Sequence, residues 1–436
     1  MADQFHLAWF LQGSSIQAWG EPWTGNISEE WGSAEMFLDL ARSIERACFD
    51  YLLIEDSIYI GEMWQKSRDI YLKNGMSVPR QEGSVVASLM VAATRHLGIV
   101  PTLSTFAYAP YLVARTVGTL DQVSGGRAGW NMVTGSSDLS AQNFGYAGLP
   151  PHDTRYDMAD EYIEIVKRLW DSWEPGAIIA DRESGILIDP AKVHTIDYVG
   201  EYYRCRGPLN SGPCPQGRPV IAQAGGSDRG KRFAATHADT VVALVKGVDH
   251  MKAYRDDVRA KMTAAGRDPG TCKVLFLVAP ILGDSMEEAE LKAEARRVKA
   301  ARNTDIKLAQ LGWSTNIDFS EFDLDQPVGE LTTNGHQQSL AQFLRKAGKR
   351  TLREAITEYG TTGMSVDLIG TPDAVAAQMG EVMREVGGDG FLFALPNVSR
   401  KSVCEIADGL IPALQQRGLT RRAYGHRHLR DNLLEF

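Results

Sequence analysis

Cysteine, long apolar runs and excess positive charge are all scarce in this chain of 436 residues. Its five cysteines are an odd number without a Cys-x-x-Cys pair, which disfavours both a disulfide framework and a zinc site. The apolar runs are too short to cross a bilayer and no basic leader opens the sequence, so we expect a cytoplasmic protein without membrane contact. A net charge of −9 makes nucleic acid a poor partner.

Several catalytic signatures are also missing. The sequence has no Gly-x-Ser-x-Gly elbow, no His-Glu-x-x-His motif, no nucleotide phosphate loop and no marked acid/base pair. His426 and His428 are the nearest approach to a metal-ligand cluster, but no set of carboxylate or cysteine ligands accompanies them. We therefore predict no metal site, and a tail helix that docks on the body of the protein. These absences favour chemistry that a cofactor carries.

Short β-rich runs alternate with helical patterns along most of the chain. This alternation predicts parallel strands joined by helices. Eight strands are predicted, at residues 5–10, 51–55, 97–104, 127–134, 219–224, 240–245, 273–282 and 390–395. Helices are predicted at about residues 33–47, 83–94, 109–123, 154–173, 228–237, 248–265, 285–302 and 372–386. Eight such units indicate an α/β fold, a closed (β/α)8 TIM barrel, and the lack of Gly-x-Gly-x-x-Gly after the first strand disfavours a doubly wound sheet.

Three stretches interrupt the repeating unit, at about residues 57–82, 176–212 and 303–370. We predict one domain over residues 1–436 with these stretches as insertions at places where barrel enzymes elaborate their sites. The first insertion is aromatic and polar. The third is long enough to act as a lid and is expected to contain helices.

Polar residues gather where three of the predicted strands end. Asp56 follows the second strand, Thr102 lies in the third, and Asn131 lies in the fourth. Each residue could simply cap the next helix. Several polar strand ends that converge on one barrel mouth favour a binding site instead.

Two segments are suited to an anion. The run PPHDTRY predicts a helix that starts at Asp153 or Thr154, which places His152 and Tyr156 beside exposed backbone N–H groups. Residues 225–227, GGS, follow the fifth strand, where glycine lets backbone N–H groups approach a phosphate and Ser227 adds a hydroxyl. A tight glycine turn with Ser227 as an ordinary cap is the alternative for this loop alone. The two helix starts together predict a phosphate cradle.

These motifs resemble those of the bacterial luciferase-like flavin-dependent monooxygenases, in the branch of the nitrilotriacetate and dibenzothiophene-sulfone monooxygenases. The resemblance covers nearly the whole chain and rests on TLDQVSGGRAGWNMVTG, PHDTRYDMADEYIEIVKRLWDSW, GRPVIAQAGGSDRG and GTPDAVAAQM. It implies a (β/α)8 barrel that uses FMN as FMNH2, with O2 as co-substrate, to oxygenate a small organic molecule through a C4a-hydroperoxyflavin. A separate NAD(P)H:flavin reductase would supply the FMNH2. Homodimers or homotetramers are usual in this family.

The resemblance also implies roles for single residues. Asp56 and Thr102 would lie near the flavin, and Asn131 would approach its ring or ribityl chain. His152, Tyr156 and Ser227 would correspond to flavin-binding positions near the ribityl phosphate. No catalytic residue is assigned, because this chain has Ala109 where many relatives carry a histidine before the proline.

Four aromatic residues, Trp9, Phe10, Tyr59 and Trp64, are predicted to wall the substrate pocket because they lie at or just after strand ends. Core packing is the alternative for Trp9 and Phe10. No concentration of Arg or Lys within residues 57–82 demands a polyanionic substrate. The substrate itself stays unidentified.

Two other functions stay open. One is a coenzyme F420-dependent oxidoreductase of the same superfamily, which the WNMVTG and PHDTRY motifs disfavour because the resemblance places them on the FMN side. The other is a non-catalytic flavin-binding barrel. A decayed enzyme would be expected to lose some of the flavin positions, and all of those named above are present.

Overall fold

Eight parallel strands close into a barrel in the computed structural model, which describes residues 4–12, 32–301, 304–357, 364–396 and 398–436. In chain order the strands, β1 to β8, are His6–Leu11, Tyr51–Ile54, Gly98–Ser104, Gly129–Val133, Val220–Gln223, Thr240–Ala243, Lys273–Val278 and Gly390–Phe393. Each strand pairs with the next, and β8 pairs with β1. The predicted (β/α)8 barrel is confirmed, and the strand predicted at residues 273–282 is shorter than expected.

Helices surround this barrel. In chain order, α1 to α16 are Glu35–Arg46, Asp69–Lys73, Gly83–Ala93, Pro110–Ser124, Asp138–Gln142, His152–Trp170, Asp228–His237, Val248–Ala264, Met286–Ala301, Thr304–Thr315, Gln337–Ala347, Leu352–Thr357, Pro372–Val386, Arg400–Cys404, Ile411–Gln416 and Leu429–Leu433. A π-helical segment, Glu405–Leu410, joins α14 to α15. Within the described ranges, none of these helices is long and apolar enough to span a membrane.

All eight predicted helices are present, but two assignments to the repeat need correction. The helix predicted at residues 285–302 is α9, which belongs to the insertion between β7 and α13 rather than to the barrel wall. The outer helix that follows β8 is formed by residues 400–416, where no helix was predicted. The middle of this segment, Glu405–Leu410, is π-helical, and Pro412 lies in the α-helical part that follows. The segment therefore lacks the sequence pattern of an ordinary α-helix.

Side chains on each barrel strand alternate between the interior and the outer helices. Ala8 of β1 lies in the interior cluster with Leu53, Val100 and Leu275. Its neighbour Trp9 lies in the cluster that packs against the helices. Both faces of a barrel strand are therefore buried, which explains why the strands read as nearly continuous apolar runs.

The chain closes the bottom of the barrel with its last helix, α16. Leu429 and Leu433 of α16 pack among the interior residues of the strands. A Cβ atom added to Gly98 of β3 would lie 2.6 Å from Leu429 Cδ1, so the glycine is needed for this close approach. The predicted docking of a tail helix on the body is confirmed.

A buried carboxylate, Asp50, fastens the tail to the barrel. It accepts hydrogen bonds from His6 Nδ1 at 3.0 Å, Arg421 at 2.7 Å and the backbone N–H of Leu7 at 3.0 Å. Burial alone would raise the pKa of Asp50, but His6, Arg421 and these hydrogen bonds outweigh it and the pKa is lowered. Removing the cationic partner of a buried carboxylate strongly destabilises a folded protein.

The three insertions occupy different places. Residues 57–82 contain α2 and join β2 to α3, while α10, α11 and α12 confirm the expected helices within residues 303–370. The two regions meet where Tyr71 donates a hydrogen bond to the carbonyl oxygen of Ala309, at 3.0 Å. Residues 176–212 follow α6 instead of a strand and pack on the outside of the barrel, where Trp173 Nε1 donates to the carbonyl of Leu209 at 2.6 Å. The expectation that all three insertions lie where sites are built is thus wrong for this one.

Replacing Arg421 with Met should strongly destabilise the protein, because Asp50 would keep its charge in a buried place with one partner lost. We expect a loss of about 3 kcal/mol or more in the free energy of unfolding, measured by chemical denaturation. The neighbouring Arg422 is exposed, so Arg422→Met should cost less than about 1 kcal/mol. Equal effects of the two substitutions would contradict this account of Asp50.

Candidate active site

A cavity of about 400 Å³ opens at the carboxyl ends of the barrel strands. Residues at the ends of β1 to β7 line it, and residues of the inserted region 303–370 cover it. All of the predicted flavin-binding positions lie on its wall, namely Asp56, Thr102, Asn131, His152, Tyr156 and Ser227. The barrel thus brings together residues that lie far apart in the sequence.

Thr102 and Asn131 form the floor of the cavity. They are partners in the pairing of β3 with β4. Thr102 Oγ1 donates to the carbonyl of Ile54 at 2.7 Å, and Asn131 Nδ2 donates to Thr102 Oγ1 at 2.8 Å. This chain fixes the Asn131 amide and leaves its Oδ1 atom buried without a partner. A buried unpaired acceptor indicates a ligand that donates a hydrogen bond.

Gln223, at the end of β5, repeats this arrangement. Its Nε2 atom donates to the hydroxyl of Tyr156 at 3.3 Å, and its Oε1 atom is buried without a partner. This residue was not predicted from the sequence, although a polar side chain in an otherwise apolar strand was a usable signal. The cavity therefore offers two unpaired acceptors, which would suit a ligand with several N–H or O–H groups.

The predicted phosphate cradle consists of two helix starts that lie beside each other. Helix α6 begins at His152, one or two residues earlier than predicted, and α7 begins after Ser227. Ser227 Oγ accepts a hydrogen bond from the backbone N–H of Gly230 at 3.0 Å, as an N-cap does. It also lies 3.4 Å from His152 Nε2. The two N-termini together direct unpaired N–H groups and partial positive charge to one place.

The inserted region closes over the cradle. A Cβ atom added to Gly226 would lie 1.3 Å from Gln338 Oε1, so only glycine allows the two segments to approach so closely. Arg155 of α6 donates to Asn334 Oδ1 at 3.0 Å and to its carbonyl oxygen at 2.8 Å. These contacts hold the insertion against the helix that carries His152.

Asp56 and His336 are titratable groups on the cavity wall. Burial raises the pKa of Asp56 to about 6, although the nearby Arg80 lowers it. The protein around the ring of His336 removes solvent from it and lowers its pKa, with a raising contribution from Glu55 and a lowering one from Arg155. His336 was not predicted from the sequence, because no local motif marks it. Ala109 itself lies outside the cavity, at the N-cap of α4.

The four predicted pocket aromatics fall into two groups. Phe10 and Tyr59 line the cavity. The prediction for Trp9 is wrong, because its side chain points outward and its ring centroid lies 6.4 Å from that of Phe393, in a stacked arrangement. The prediction for Trp64 is also wrong, because Trp64 packs against the apolar cluster inside the inserted region.

Trp313, which the sequence analysis did not identify, supplies the missing aromatic wall. It lies on α10 and stacks on Tyr59, with ring centroids 5.7 Å apart and planes 12° apart. The Tyr59 hydroxyl donates to the carbonyl oxygen of Trp313 at 3.1 Å. This residue is far from Tyr59 in sequence, so only the folded insertion could reveal the pair.

The barrel and this site are those expected of an enzyme that binds a phosphate-bearing cofactor. The residues fit FMN in particular: the helix starts suit its phosphate, and the unpaired oxygens of Asn131 and Gln223 suit its ribityl hydroxyl groups and ring N–H. The cradle follows β4 and β5, whereas barrels commonly bind phosphate after the seventh and eighth strands. The strand count that indicated this departure is confirmed.

Comparison with known proteins identifies the family. The luciferase-like monooxygenase family matches residues 14–390. A dibenzothiophene-sulfone monooxygenase of Rhodococcus erythropolis (strain XP) is 36% identical, covering 99% of this chain and 96% of that protein. Nitrilotriacetate monooxygenase component A of Aminobacter aminovorans is 32% identical, covering 99% and 96%. The chain belongs to the luciferase-like monooxygenase family, as its motifs suggested.

A solved structure agrees with this assignment. A riboflavin lyase crystallised with modified FMN and riboflavin matches with a TM-score of 0.90 at 30% identity, covering 99% of this chain and 96% of that one. Its barrel therefore shares the architecture described above. Fold and family together make this protein a flavin-dependent monooxygenase.

Replacing Asp56 with Asn should stabilise the flavin-free protein above pH 6. Folding raises the pKa of the Asp56 carboxyl from 3.8 to about 6, so the folded protein loses stability as the pH rises between these values. The variant should gain up to about 3 kcal/mol at pH 7.5 and nothing below pH 4, by denaturant unfolding at both pH values. The control is Asp69→Asn at an exposed carboxylate. An effect of Asp56→Asn on stability that is independent of pH would refute the raised pKa of Asp56.

Proposed function

We propose that this protein is the oxygenase component of a two-component monooxygenase that uses FMNH2 and O2 to oxygenate a small organic molecule. The observation that carries the proposal is the pair of helix starts at His152 and Ser227, whose side-chain atoms Nε2 and Oγ lie 3.4 Å apart. The unpaired oxygens of Asn131 and Gln223 line the same cavity. When bound, FMNH2 would activate O2 and deliver one oxygen atom to the substrate. A separate NAD(P)H:flavin reductase would supply it.

The residues of this chain would bind and orient the flavin and would shield the reaction from water. The helix starts would hold the phosphate. The side-chain oxygens of Asn131 and Gln223 would accept hydrogen bonds from the ribityl chain and ring. Hydrogen bonds to Thr102 and Tyr156 hold these two amides in place. The inserted region would limit access of water from above, because its residues Trp313 and His336 line the cavity. Asp56 would stand near the ring as the family resemblance implies.

Two further points belong to the proposal. We also propose that the protein assembles as a homodimer or homotetramer, as is usual in this family. The relatives' names include an uncharged sulfone and a tricarboxylate. Family membership therefore leaves the charge of the substrate open.

The phosphate role of the cradle can be tested with the double variant His152→Ala, Tyr156→Phe. Its FMN affinity should fall at least about tenfold, because a cradle hydroxyl and ring are lost from the phosphate end. Riboflavin has the same ring and ribityl chain without the phosphate, so its affinity should fall less than that of FMN, through the lost contact of Tyr156 with Gln223 alone. Fluorescence titration with both flavins measures this difference.

Arg168→Ala on the exposed face of the same helix is the matched control and should bind both flavins normally. Unchanged FMN affinity in the double variant would show that these residues do not bind the phosphate. Equal losses for FMN and riboflavin would place them at the ring instead.

The oxygenase activity requires a coupled assay. The protein is mixed with FMN, a flavin reductase, NADH and a candidate such as dibenzothiophene sulfone under 18O2. We expect a product that contains one labelled oxygen atom and that does not form without O2. Oxygen-independent turnover with tightly bound coenzyme F420 would instead establish the deazaflavin alternative.

A further inference from the structure

Another cavity, of about 610 Å³, opens at the amino ends of the barrel strands, opposite the active site. It lies between the last turns of α6 and α7, which carry Lys167 and His237, and the residues that lead into β5 and β6. Arg267, which follows α8, and Arg430 of α16 also line it. The described linings of this cavity and of the active-site cavity share no residue.

Four cations and two carboxylates line this cavity, which we call the basic cavity: Lys167, Arg218, Arg267 and Arg430, with Asp171 and Asp239. Arg218 pairs with Asp171 through two hydrogen bonds, of which the one from Nε to Oδ1 is 2.8 Å long. Arg430 donates to both carboxylate oxygens of Asp239, at 2.7 and 3.1 Å. Both carboxylates are therefore used, and two cations are left over.

The first of these cations, Lys167, has a neutral partner. Its Nζ atom donates to His237 Nδ1 at 3.1 Å. His237 Nε2 donates in turn to Asp160 Oδ1 at 2.9 Å, so the neutral ring accepts from Lys167 through Nδ1. Asp160 lies beyond the ring and is paired with Arg229. Lys167 thus makes no direct ion pair with a carboxylate of the described residues.

The second cation, Arg267, is matched only by carbonyl oxygens. Its Nη1 atom donates to Ala235 and its Nη2 atom to Ala238, both at 2.9 Å, at the end of α7. The partial negative charge of the helix end offsets part of the guanidinium charge. In the part of the chain that the structure describes, no carboxylate lies within ion-pair distance of Arg267.

This excess of positive charge acts on Lys167. Burial, together with the charges of Arg218 and Arg267, lowers the pKa of Lys167 to about 8, although Asp239 and Glu164 raise it. A half-buried ammonium group among like charges destabilises the folded protein unless an anion joins it. A perturbed cation in a cleft is therefore typical of a binding site.

We propose that the basic cavity binds a dianionic phosphate group, either as inorganic phosphate or as part of a small metabolite. The two unmatched charges of Lys167 and Arg267 balance a phosphate group, which carries about −1.5 to −2 at neutral pH. Their ammonium and guanidinium groups supply charge-assisted hydrogen bonds. The cavity has room for a metabolite as well as for phosphate alone. This site is independent of the function proposed above.

Calorimetric titration of the protein with inorganic phosphate and with glycerol 3-phosphate tests the proposal. Sodium chloride keeps the ionic strength constant. Lys167→Met should weaken the binding of phosphate at least about tenfold, because one of two unmatched charges is lost. Arg168→Ala, at the exposed neighbour that pairs with Glu164, is the matched control and should bind normally. No binding to the unaltered protein, or unchanged affinity in Lys167→Met, would overturn the proposal.

Phosphate could also enter the predicted cradle, so the titration is repeated with the double variant His152→Ala, Tyr156→Phe. Phosphate held in the basic cavity should still bind to this variant. Loss of all phosphate binding there would place the anion at the cradle and overturn the proposal. In the protein that binds both ligands, the tighter one identifies the source of the phosphate group.

A second charge variant tests the electrostatic cause in the opposite direction. Asp171→Asn releases Arg218 from its ion pair and adds to the unmatched positive charge of the cavity. Phosphate should therefore bind about threefold more tightly. Equal or weaker binding would contradict the electrostatic account.

Chemical labelling locates the anion in the unaltered protein. Lysines are acetylated with limiting acetic anhydride, with and without phosphate, and mass spectrometry of peptides measures each position. Bound phosphate would cover Lys167 and keep it protonated, so its labelling should fall at least about fivefold. The exposed Lys73 is the control and should label equally in both samples. Equal labelling of Lys167 at a saturating phosphate concentration would overturn the proposal.

Discussion

The pairing of β8 with β1 is the interaction on which the rest of the structure depends. It closes the sheet, and a closed parallel sheet presents the carboxyl ends of all its strands at one mouth. Thr102 and Asn131 are register partners only because β3 and β4 are neighbours in this ring. At the other end, Asp50 and the tail helix hold the strands together and fill the interior. The site therefore rests on a barrel that is sealed from below.

The inserted region contacts the barrel at the predicted cradle. Gln338 lies against Gly226, and Asn334 accepts hydrogen bonds from Arg155, so the cover of the cavity and the helix that begins at His152 are one assembly. Binding at the phosphate end would thus be coupled to the position of Trp313 and His336 above the mouth. This arrangement suits a reaction that must be shielded from water.

The two sides of the cavity differ in electrostatic character. The cradle side gathers helix N-termini, His152 and Arg155, which together favour a dianionic phosphate. The opposite side carries Asp56 and the paired Glu55, with aromatic rings above them.

The sequence by itself determined the alternation of eight strands with helices, the two helix starts of the predicted cradle and the six predicted flavin-binding residues, which lie on one cavity wall. These features depend on local pattern, capping and short motifs. Only the tertiary structure decided that Phe10 faces the cavity and Trp9 does not, because both faces of a barrel strand are buried and periodicity cannot distinguish them. It also decided that Trp313 and His336 join the site, since their contacts span distant parts of the chain and depend on how the insertion folds over the mouth.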